Sequence, residues 1–549
     1  MDKYIVAVKK GTDLQQFYDD METSGGSETI PDREVSCYDR RPISRNTGYD
    51  LTEDEVNNLL NDERVIGVSK QSVIDSLVNK PLWEQTSSDF DKSTSISNTN
   101  INWGLYRCIR GSQVSNWGSN GTVDASATIR TTSSGKNVDV LIVDGHLNPN
   151  HPEFAVNSDG TGGSRVQQFN WFSLTNEVTG GANGTYTYRS GASLNNAEDN
   201  HGMHVAGIVA GNTMGWARDA NIYYLSPYDS QIANQYLFEY VRAWHNQKEI
   251  NASTGRRNPT IVNNSWGSYN VIVRDSNTYV SYRGVNSGTN PSDSDLNSRG
   301  VRYYNASYIY TGYQDATLVA DIEDCVDDGI IFVGAAGNES EKIDQYGGVD
   351  RDNAVIYGGP YYYMRGSWNT AGLRPDSTTR LSVCVGAASA LVNDSKATFS
   401  DCGPRVDIFA PGDNIISAVN DGTVTGGSVT TVSDSRNSSY KFAKYDGTSM
   451  ASPQVCGVLA CLLEQYPEMT QSDVFDYIEQ HQKTGQMTST SGGVTDDTDL
   501  QGAGNYYLFY FKERPEEGVT VPRYTVNTRK GTNSGVKYPR SRVKLTKPS

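Results

Sequence analysis

The sequence predicts a three-layer α/β domain with a mainly parallel sheet, preceded by a small α+β domain. Two apolar runs carry this prediction, because continuous hydrophobic residues are typical of strands buried on both faces. The first, Val138–Val143, contains a single Asp and is followed by Asp144, and the second, Gly329–Ala335, leads through small residues to Asn338. A third apolar stretch, Val455–Leu463, predicts a buried helix.

Residues 1–76 have the pattern of a small α+β domain. The predicted strands and helices alternate, over 1–8, 13–21, 33–38, 52–61 and 64–68. Thr52 and Glu55 form the sequence signature of a capping box, which sets the start of the second helix. A β-α-β-α-β order predicts a ferredoxin-like half-layer that buries one face of its sheet. An accessory domain with no further role is the alternative.

Ser449 is the strongest candidate for a nucleophile. It lies in Gly447–Pro453, between a glycine turn and the apolar helix. Backbone N–H groups at a helix start point outward and the helix dipole favours negative charge there, so an oxyanion beside Ser449 would be stabilised. We expect Pro453 in the first turn of this helix, where proline is tolerated.

A serine hydroxyl needs a general base, and the chain contains six histidines. His201 lies in Asn200–Gly211, which is predicted as a polar loop that enters a helix of small residues. His204 follows one helical turn later. The two histidines could suggest a metal, but no glutamate-containing zinc motif surrounds them. A structural role is the other alternative for His201.

Two strand ends supply the remaining groups. Asp144 follows the first strand at its carboxyl end, where α/β sheets place functional groups. A turn or helix-cap Asp is the alternative. Asn338 follows the second strand, and its side-chain amide could donate a hydrogen bond to an oxyanion. An asparagine in a left-handed turn is the alternative.

Together these segments resemble the subtilisin-like serine proteases (subtilases), which have the chain order Asp, His, Ser. The segments that carry the resemblance are Val138–His146, His201–Gly207, Asn263–Gly267, Ala335–Asn338, Phe399–Gly403 with Asp407–Gly412, and Gly447–Pro453. The resemblance implies a subtilisin-like fold in which Ser449 attacks the scissile carbonyl, His201 takes its proton and Asp144 orients the imidazole. It also implies that Asn338 and the Ser449 backbone N–H bind the oxyanion.

The resemblance implies a substrate cleft as well. We expect its walls to be Ser265, Trp266 and Gly267 on one side and Gly334, Ala335 and Ala336 on the other. Trp266 favours a partly filled or aromatic-walled pocket. Three residues depart from the family pattern, namely Gly145 after the Asp, Met203 in the His motif and Gln454 after Ser-Pro. None of them is a group whose bonds are made or broken, so we expect effects on rate or local packing only.

Because residues 1–76 precede a subtilase domain, they resemble the inhibitory, folding-assisting pro-domain of the family. Tyr4–Val8 and Ile43–Thr52 carry this resemblance. The polar linker 77–100 has the composition of a flexible, cleavable segment, and Asn102–Arg107 resembles the start of a mature subtilase. We therefore expect a maturation site between 76 and 101, a catalytic domain over 101–510 and a basic, extended tail over 511–549.

The motifs are widely spaced, and the extra sequence falls into three long loops. These are Phe154–Glu198, Tyr269–Tyr313 and Glu339–Thr379. Long loops on a rigid scaffold usually carry recognition, and tyrosine rings bury contact area at little entropic cost. Extra loop without a function is the alternative.

Charge separates the body of the chain from its tail. The net charge of −17 argues against a nucleic-acid binder, and no apolar run is long enough to predict a membrane span. The tail instead carries ten Lys or Arg and three Glu, with a repeated Gly-Val-x-x-Pro-Arg unit at 518–523 and 535–540. A docking arm for an acidic partner and a solvated tail both fit this composition.

The implied chemistry requires no cofactor. Structural Ca²⁺ is common in subtilases, but spacing defines no ligand set here, so metal ligands stay unassigned. The seven cysteines are an odd number without a CxxC motif, and the N-terminus has no apolar signal region. We expect mostly free thiols and synthesis in the cytoplasm, with assembly into a particle favoured over an extracellular location.

These observations predict a serine endopeptidase that hydrolyses proteins or peptides through an acyl-enzyme on Ser449. It would be made as a zymogen whose own pro-domain is its intramolecular inhibitor. The alternative hypothesis is a catalytically silent subtilase scaffold that serves as a structural or binding component of a larger, for example viral, particle.

Overall fold

The N-terminal part of the chain forms a four-stranded antiparallel sheet. A computed structural model of the protein describes residues 1–23, 33–75, 78–81, 103–111, 131, 133–363, 379–390, 394–487 and 500–510. The elements of this N-terminal unit are β1 (Asp2–Val8), α1 (Leu14–Glu22), β2 (Cys37–Arg40), β3 (Asn46–Leu51), α2 (Glu53–Leu59), β4 (Val65–Lys70) and α3 (Gln71–Asp75). Val6, Phe17 and Leu59 are fully buried in a core of its own.

The N-terminal unit confirms the capping box and corrects the strand order. Glu55 N donates to Thr52 Oγ1 at 3.3 Å, and Thr52 N donates to Glu55 Oε2 at 2.7 Å. The predicted β-α-β-α-β order omitted β3, whose sequence is mostly polar and contains Gly48. Pairing with β1 on one side and β2 on the other makes this segment a strand, and such pairing is not visible in local sequence.

The rest of the chain contributes twenty-one strands and eight α-helices within the described residues. The strands are β5 (Val78–Pro81), β6 (Asp139–Val143), β7 (Val166–Gln167), β8 (Asn221–Leu225), β9 (Thr260–Asn264), β10 (Trp266–Val273), β11 (Thr278–Tyr282), β12 (Val285–Asn286), β13 (Tyr308–Gly312), β14 (Ile331–Ala335), β15 (Ala354–Tyr357), β16 (Tyr361–Tyr363), β17 (Val383–Ala388), β18 (Ile408–Pro411), β19 (Ile415–Val419), β20 (Thr423–Val424), β21 (Gly427–Ser428), β22 (Thr431–Asp434), β23 (Asn437–Tyr445), β24 (Lys483–Thr484) and β25 (Tyr506–Tyr507). The helices are α4 (Trp103–Arg110), α5 (Thr175–Thr179), α6 (Ala197–Ala210), α7 (Leu237–Gln247), α8 (Asp293–Ser298), α9 (Ala316–Asp327), α10 (Thr448–Gln465) and α11 (Gln471–His481).

A nine-stranded sheet forms the middle layer, in the order β24-β25-β18-β17-β14-β9-β6-β8-β7. All its pairings are parallel except that of β24 with β25, which confirms the predicted mainly parallel α/β fold. Helices α6 and α10 pack in the core on one face, and α7 and α9 pack on the other. Strands β6, β9 and β14 are buried throughout. Each buried Val, Leu or Ile contributes about 1.5–3 kcal/mol, so two-sided burial explains why β6 and β14 are mostly apolar.

The second and third long loops fold together. Strand β10 pairs with β13, while β11 pairs with β12 and, across the gap between the two loops, with β15. Ile272, Ile309, Val280, Leu296 and Val355 form a small separate core between these strands. The loops are therefore an ordered addition to the main sheet.

The N-terminal unit packs against α7 and α9 through buried ion pairs. Arg41 Nη1 lies 2.7 Å from Glu239 Oε1, and Arg45 Nη2 lies 2.8 Å from Glu323 Oε2. We use the term interface ion cluster for the seven charged residues that meet here, namely Arg41, Arg45, Glu239, Arg242, Asp321, Glu323 and Asp324.

Three other predictions concern the chain as a whole. No helix among the described residues is long and apolar enough to cross a membrane. All seven cysteines lie in described parts of the chain and are free thiols, as expected. The basic tail and the linker, apart from β5, lie outside the described residues.

Candidate active site

Three strand ends bring the predicted site residues to one edge of the sheet. Asn264 in β9 lies opposite Val143 in β6 and also opposite Gly334 in β14. The residues that leave these parallel strands are therefore neighbours at the carboxyl edge of the sheet, where open α/β sheets bind ligands. Asp144 and Ser265 are the next residues along two of them.

Asp144 and His201 form a buried pair. His201 Nδ1 and Asp144 Oδ1 are 2.8 Å apart, and both side chains are 0% exposed. Because an ionised carboxylate only accepts hydrogen bonds, Nδ1 carries the proton and Nε2 is the acceptor nitrogen in the neutral ring. That tautomer suits a general base.

His201 lies inside a helix, which corrects the expected polar loop. Helix α6 begins at Ala197, where the Asn196 side chain caps it by accepting a hydrogen bond from Asp199 N. His201 therefore sits in the second turn, and the helix backbone fixes the direction of its side chain.

Close contact between two glycines brings α6 to Asp144. A Cβ atom at Gly145 would lie 2.0 Å from the carbonyl oxygen of Glu198, and one at Gly202 would lie 2.5 Å from the carbonyl oxygen of Gly145. No side chain fits between these backbones without a shift. This contact gives a physical reason for the first departure from the family pattern, Gly145.

Met203 and Gln454, the other two departures from the family pattern, are packed inside the protein. Met203 is fully buried, and its sulfur accepts a hydrogen bond from Asn148 N at 3.0 Å. Gln454 is also fully buried, and its Oε1 accepts a hydrogen bond from Trp216 Nε1 at 2.7 Å.

Ser449 lies in the first turn of α10. Gly447 precedes this helix with φ 151°, in the region that favours glycine. The hydroxyl of Ser449 donates a hydrogen bond to the carbonyl oxygen of Ser265 at 2.9 Å. This contact joins the candidate nucleophile to the predicted cleft wall.

Pro453 lies in the second turn of α10, because the helix begins at Thr448. The expectation of a first-turn proline was therefore wrong. A proline at this position cannot donate to the carbonyl four residues earlier, which is that of Ser449. The Ser265 hydroxyl donates to this oxygen instead, at 3.0 Å. A side chain of the cleft wall thus satisfies the acceptor that the proline leaves open.

Asn338 presents a buried amide donor beside Ser449. Its Oδ1 accepts hydrogen bonds from both N and Oγ1 of Thr448, each at 2.9 Å. These two bonds orient the amide, so its Nδ2 points the other way. Nδ2 is buried and has no hydrogen-bond partner among the described residues. Because an unsatisfied buried donor costs about 1–3 kcal/mol, this group calls for a ligand acceptor.

Thr448 and Asp401 support Asn338, and sequence reasoning missed both roles. Asp401 Oδ1 accepts hydrogen bonds from Glu339 N at 3.1 Å and Glu341 N at 2.8 Å, which fixes the loop after Asn338. Burial and the charges of the two glutamates hold the pKa of Asp401 well above its usual range. The motif around Asp401 was part of the family resemblance, but its contact with Asn338's loop depends on the fold.

The predicted cleft walls are both strand ends. Ser265 precedes β10, while Trp266 and Gly267 begin it. Gly334 and Ala335 end β14, Ala336 follows, and all three are buried. Trp266 is 1% exposed and belongs to the core between the sheet and α7 and α9, so its ring is not an open wall. Tyr269 packs against Ala335 and links the two walls.

Strand β5 is paired with the wall formed by β10. Pro81 lies opposite Trp266, Lys80 opposite Gly267, and Val78 opposite Tyr269, in antiparallel register. A segment of the linker between the N-terminal unit and the main domain therefore occupies this edge of β10.

The second histidine of the His-x-x-His pair has a structural role. His204 Nε2 lies 3.0 Å from the carbonyl oxygen of Ile415 and 3.2 Å from that of Ala443, and its ring stacks on Tyr445. Burial lowers the pKa of His204 to about 3, so the ring is neutral. In the part of the chain that the structure describes, no group of three or more His, Cys, Asp or Glu could hold a metal ion.

A model of the subtilase family matches residues 135–504 of this chain. Subtilisin-like protease 3 of Arthroderma otae is 43% identical over 90 residues, which cover 16% of this chain and 18% of that protein. Alkaline serine exoprotease A of Vibrio alginolyticus is 28% identical over 183 residues, which cover 33% of this chain and 25% of that protein. The chain thus matches at most about a quarter of the length of either relative.

Among solved structures, fervidolysin from Fervidobacterium pennivorans aligns with a TM-score of 0.46 and 15% identity, over 92% of this chain and 60% of its own. A cold-adapted subtilisin-like serine proteinase aligns with a TM-score of 0.42 and 18% identity, over 76% of this chain and 100% of its own. The family model covers more than half of the chain, including the four candidate catalytic residues. This chain therefore belongs to the subtilase family.

Proposed function

We propose that the protein is a serine endopeptidase with Ser449 as nucleophile, His201 as general base and Asp144 as the carboxylate that orients His201. The observation that carries the proposal is Asn338 Nδ2, a buried donor without a partner among the described residues, on the residue that binds Thr448. An oxyanion formed on attack by Ser449 would satisfy this donor.

The first half of the reaction forms an acyl-enzyme. Ser449 Oγ bonds to the scissile carbonyl carbon. Its hydroxyl proton, which is hydrogen-bonded to the Ser265 carbonyl oxygen before the reaction, moves to His201 Nε2. The carbonyl electron pair moves onto oxygen, and Asn338 Nδ2 and the Ser449 N–H bind the resulting oxyanion. Asp144 stabilises the imidazolium. The intermediate collapses, the C–N bond breaks, and the leaving amine takes the proton from His201.

The second half uses water in place of serine. His201 removes a proton from water as its oxygen bonds to the acyl carbon, and the same two donors bind the second oxyanion. Collapse releases the acid and returns the proton to Ser449.

We further propose that the chain is a zymogen whose first substrate is itself. Pro81, the last residue of β5, lies opposite Trp266, which follows Ser265 in the chain. The Ser265 carbonyl holds the Ser449 hydroxyl at 2.9 Å. The register therefore favours cleavage between Leu82 and Trp83, which lies inside the predicted maturation range. Residues 78–81 would then stay on β10 as the product, which is how the N-terminal unit would inhibit the enzyme.

The test compares wild type with Ser449→Ala. We expect wild type to lose residues 1–82, shown by intact mass and by an N-terminal Trp83, and to react with a fluorophosphonate probe. Ser449→Ala should stay full-length and unlabelled, whereas Ser294→Ala, at an exposed position of α8, should behave like wild type. If no processed form of the wild type reacted with the probe, the proposal would be wrong and the silent-scaffold hypothesis would be favoured.

A further inference from the structure

We propose that β10 and β13 form a secondary substrate site that binds apolar side chains several residues before the scissile bond. The proposal rests on the proposed function. It commits to one occupant, the extended N-terminal portion of a long polypeptide substrate, because β10 is the strand whose first residues already pair with β5.

Five side chains on one face of β10 and β13 make up what we call the aromatic ledge. They are Tyr269, Val271 and Val273 from β10 and Tyr308 and Tyr310 from β13. Val271 lies opposite Tyr310 and Val273 lies opposite Tyr308, and opposed residues of an antiparallel pair share a face. Ring contacts continue along this face, with 5.4 Å between the centroids of Tyr269 and Tyr310.

Three of the five side chains of the aromatic ledge are exposed and the other two, Tyr269 and Tyr310, are half-buried, whereas the opposite face of the same two strands is mostly buried. Val271 is 49% exposed, Val273 39% and Tyr308 40%. Ile272 and Ile309, on the other face, are buried in the small core formed by the loops. The ledge is thus an apolar surface held on a rigid support, and a contiguous surface of this kind marks an interaction site on a soluble protein.

The backbone favours a strand-like occupant. Strand β5 covers one edge of β10 from Trp266 to Tyr269, and β13 covers the other edge from Tyr269 to Val273. Among the described residues, no strand pairs with the β5 side of β10 beyond Tyr269. A substrate that pairs like β5 and continues toward its own N-terminus would meet this open edge and could add to it as a strand.

The register also fixes which substrate side chains reach the aromatic ledge. If Leu82 is the residue before the scissile bond, Val78 is the fifth and lies opposite Tyr269. The seventh and ninth residues before the bond would then lie opposite Val271 and Val273, on the same face. We infer a preference for apolar or aromatic residues at these two positions.

The test uses three fluorogenic peptides with identical residues around the cleaved bond. The short peptide has four residues before the bond, and two long peptides have ten, with either Leu or Ser at the seventh and ninth positions. For the self-processed enzyme after its cut N-terminal unit has been released and removed, we expect kcat/KM on the long Leu peptide to exceed that on the long Ser peptide about tenfold, which corresponds to about 1.4 kcal/mol.

The matched variants are Val271→Ser with Tyr308→Ser, and Ile250→Ser. Ile250 is 57% exposed and lies next to Asn251, which bonds Asn137 before β6, at the opposite edge of the sheet. The ledge variant should lose the preference for Leu, and Ile250→Ser should keep it. The short peptide, which does not reach Val271, reports whether the variant is folded.

Each outcome bears on a separate claim. If wild type fails to cleave the short peptide, the proposed function fails. If wild type cleaves it but treats both long peptides alike, or if the ledge variant cleaves the short peptide normally and keeps the preference for Leu, the aromatic ledge is not a substrate site. A dimer that Val271→Ser dissociates, with the Leu preference unchanged, would assign the surface to a second copy and overturn the proposal.

Discussion

At the scale of single residues, the chemistry depends on how neighbours aim a few polar groups. Asn338 holds its amide in one orientation, with Nδ2 left as a donor, because Thr448 occupies its carbonyl oxygen with two hydrogen bonds. The motifs predicted the identities of the four candidate catalytic residues. Thr448 was not predicted as an orienting group because its bond to Asn338 joins residues 110 positions apart.

Replacing Asn338 tests the oxyanion donor. For Asn338→Ala we expect kcat to fall about 10²–10³-fold with little change in KM, because the lost bond forms only in the transition state. Steady-state kinetics on a short peptide measures this. Asn437→Ala, exposed in β23, is the control and should match wild type. Equal losses in kcat for both variants would contradict the assigned role.

Gly145 tests the close contact that places α6. Because a Cβ here would lie 2.0 Å from Glu198 O, Gly145→Ala should push α6 away from Asp144 and lengthen the pair with His201. We expect a destabilisation of about 1–3 kcal/mol and a clear loss of kcat. Thermal unfolding and peptide kinetics measure the two effects. Gly288→Ala, with nothing within 4 Å of its Cβ, should leave both unchanged, and full activity of Gly145→Ala would refute the argument.

At the scale of elements, long apolar strands were predictable and short, long-range pairings were not. Strand β6 and strand β14 are buried on both faces, so their sequences are distinctive. The pairing of β11 with β15 joins Thr278 to Tyr357 across the gap between two loops, and local sequence does not show which strand pairs with which. The second-turn position of Pro453 was missed for the same reason, because the compensating bond comes from Ser265 in another element.

The pair Ser265 and Pro453 can be tested by a double-mutant cycle in a Ser449→Ala background, which prevents self-digestion. Ser265→Ala should lower the free energy of unfolding by about 1–3 kcal/mol, because it leaves the buried carbonyl of residue 449 unsatisfied. Pro453→Ala restores the helical N–H, so the cost of Ser265→Ala should shrink in that background. Denaturant titrations measure the four free energies. Strict additivity would show that the two residues do not share this carbonyl.

At the scale of the whole molecule, the N-terminal unit is docked through the interface ion cluster. The cluster contains four carboxylates, on α7 and α9, and they face three guanidinium groups, from Arg41, Arg45 and Arg242. Asp39, beside Arg41, and Asp328, beside Arg242, add further negative charge at its edges. Lys10 on the N-terminal unit pairs with Asp327. The excess of buried carboxylates favours retention of a proton in the docked state.

The sign of the resulting pH dependence follows from the pKa values. Burial raises the pKa of Asp321 to about 7, although Arg41 opposes the shift, and burial with the charge of Asp321 holds the pKa of Glu239 well above its usual range. After undocking, Asp321 would return toward its ordinary value of about 4. The docked state therefore binds more protons, so docking is favoured at acid pH and weakens as the pH rises from about 4 to about 7.

We therefore expect the cut N-terminal unit to leave the rest of the chain more readily at pH 7.5 than at pH 5.5. The affinity should fall by up to about tenfold per pH unit for each proton that the docked state retains. Size-exclusion of the self-cleaved complex over this range measures it. Asp321→Asn keeps a neutral acceptor for the Ser44 hydroxyl, which donates to Asp321 at 2.7 Å, so it should hold the unit at both pH values. Asp54→Asn, exposed in α2, should follow wild type. Release that is faster at pH 5.5 would mean that attraction between the arginines and the ionised carboxylates outweighs the cost of burying those charges, and the prediction would be wrong in sign.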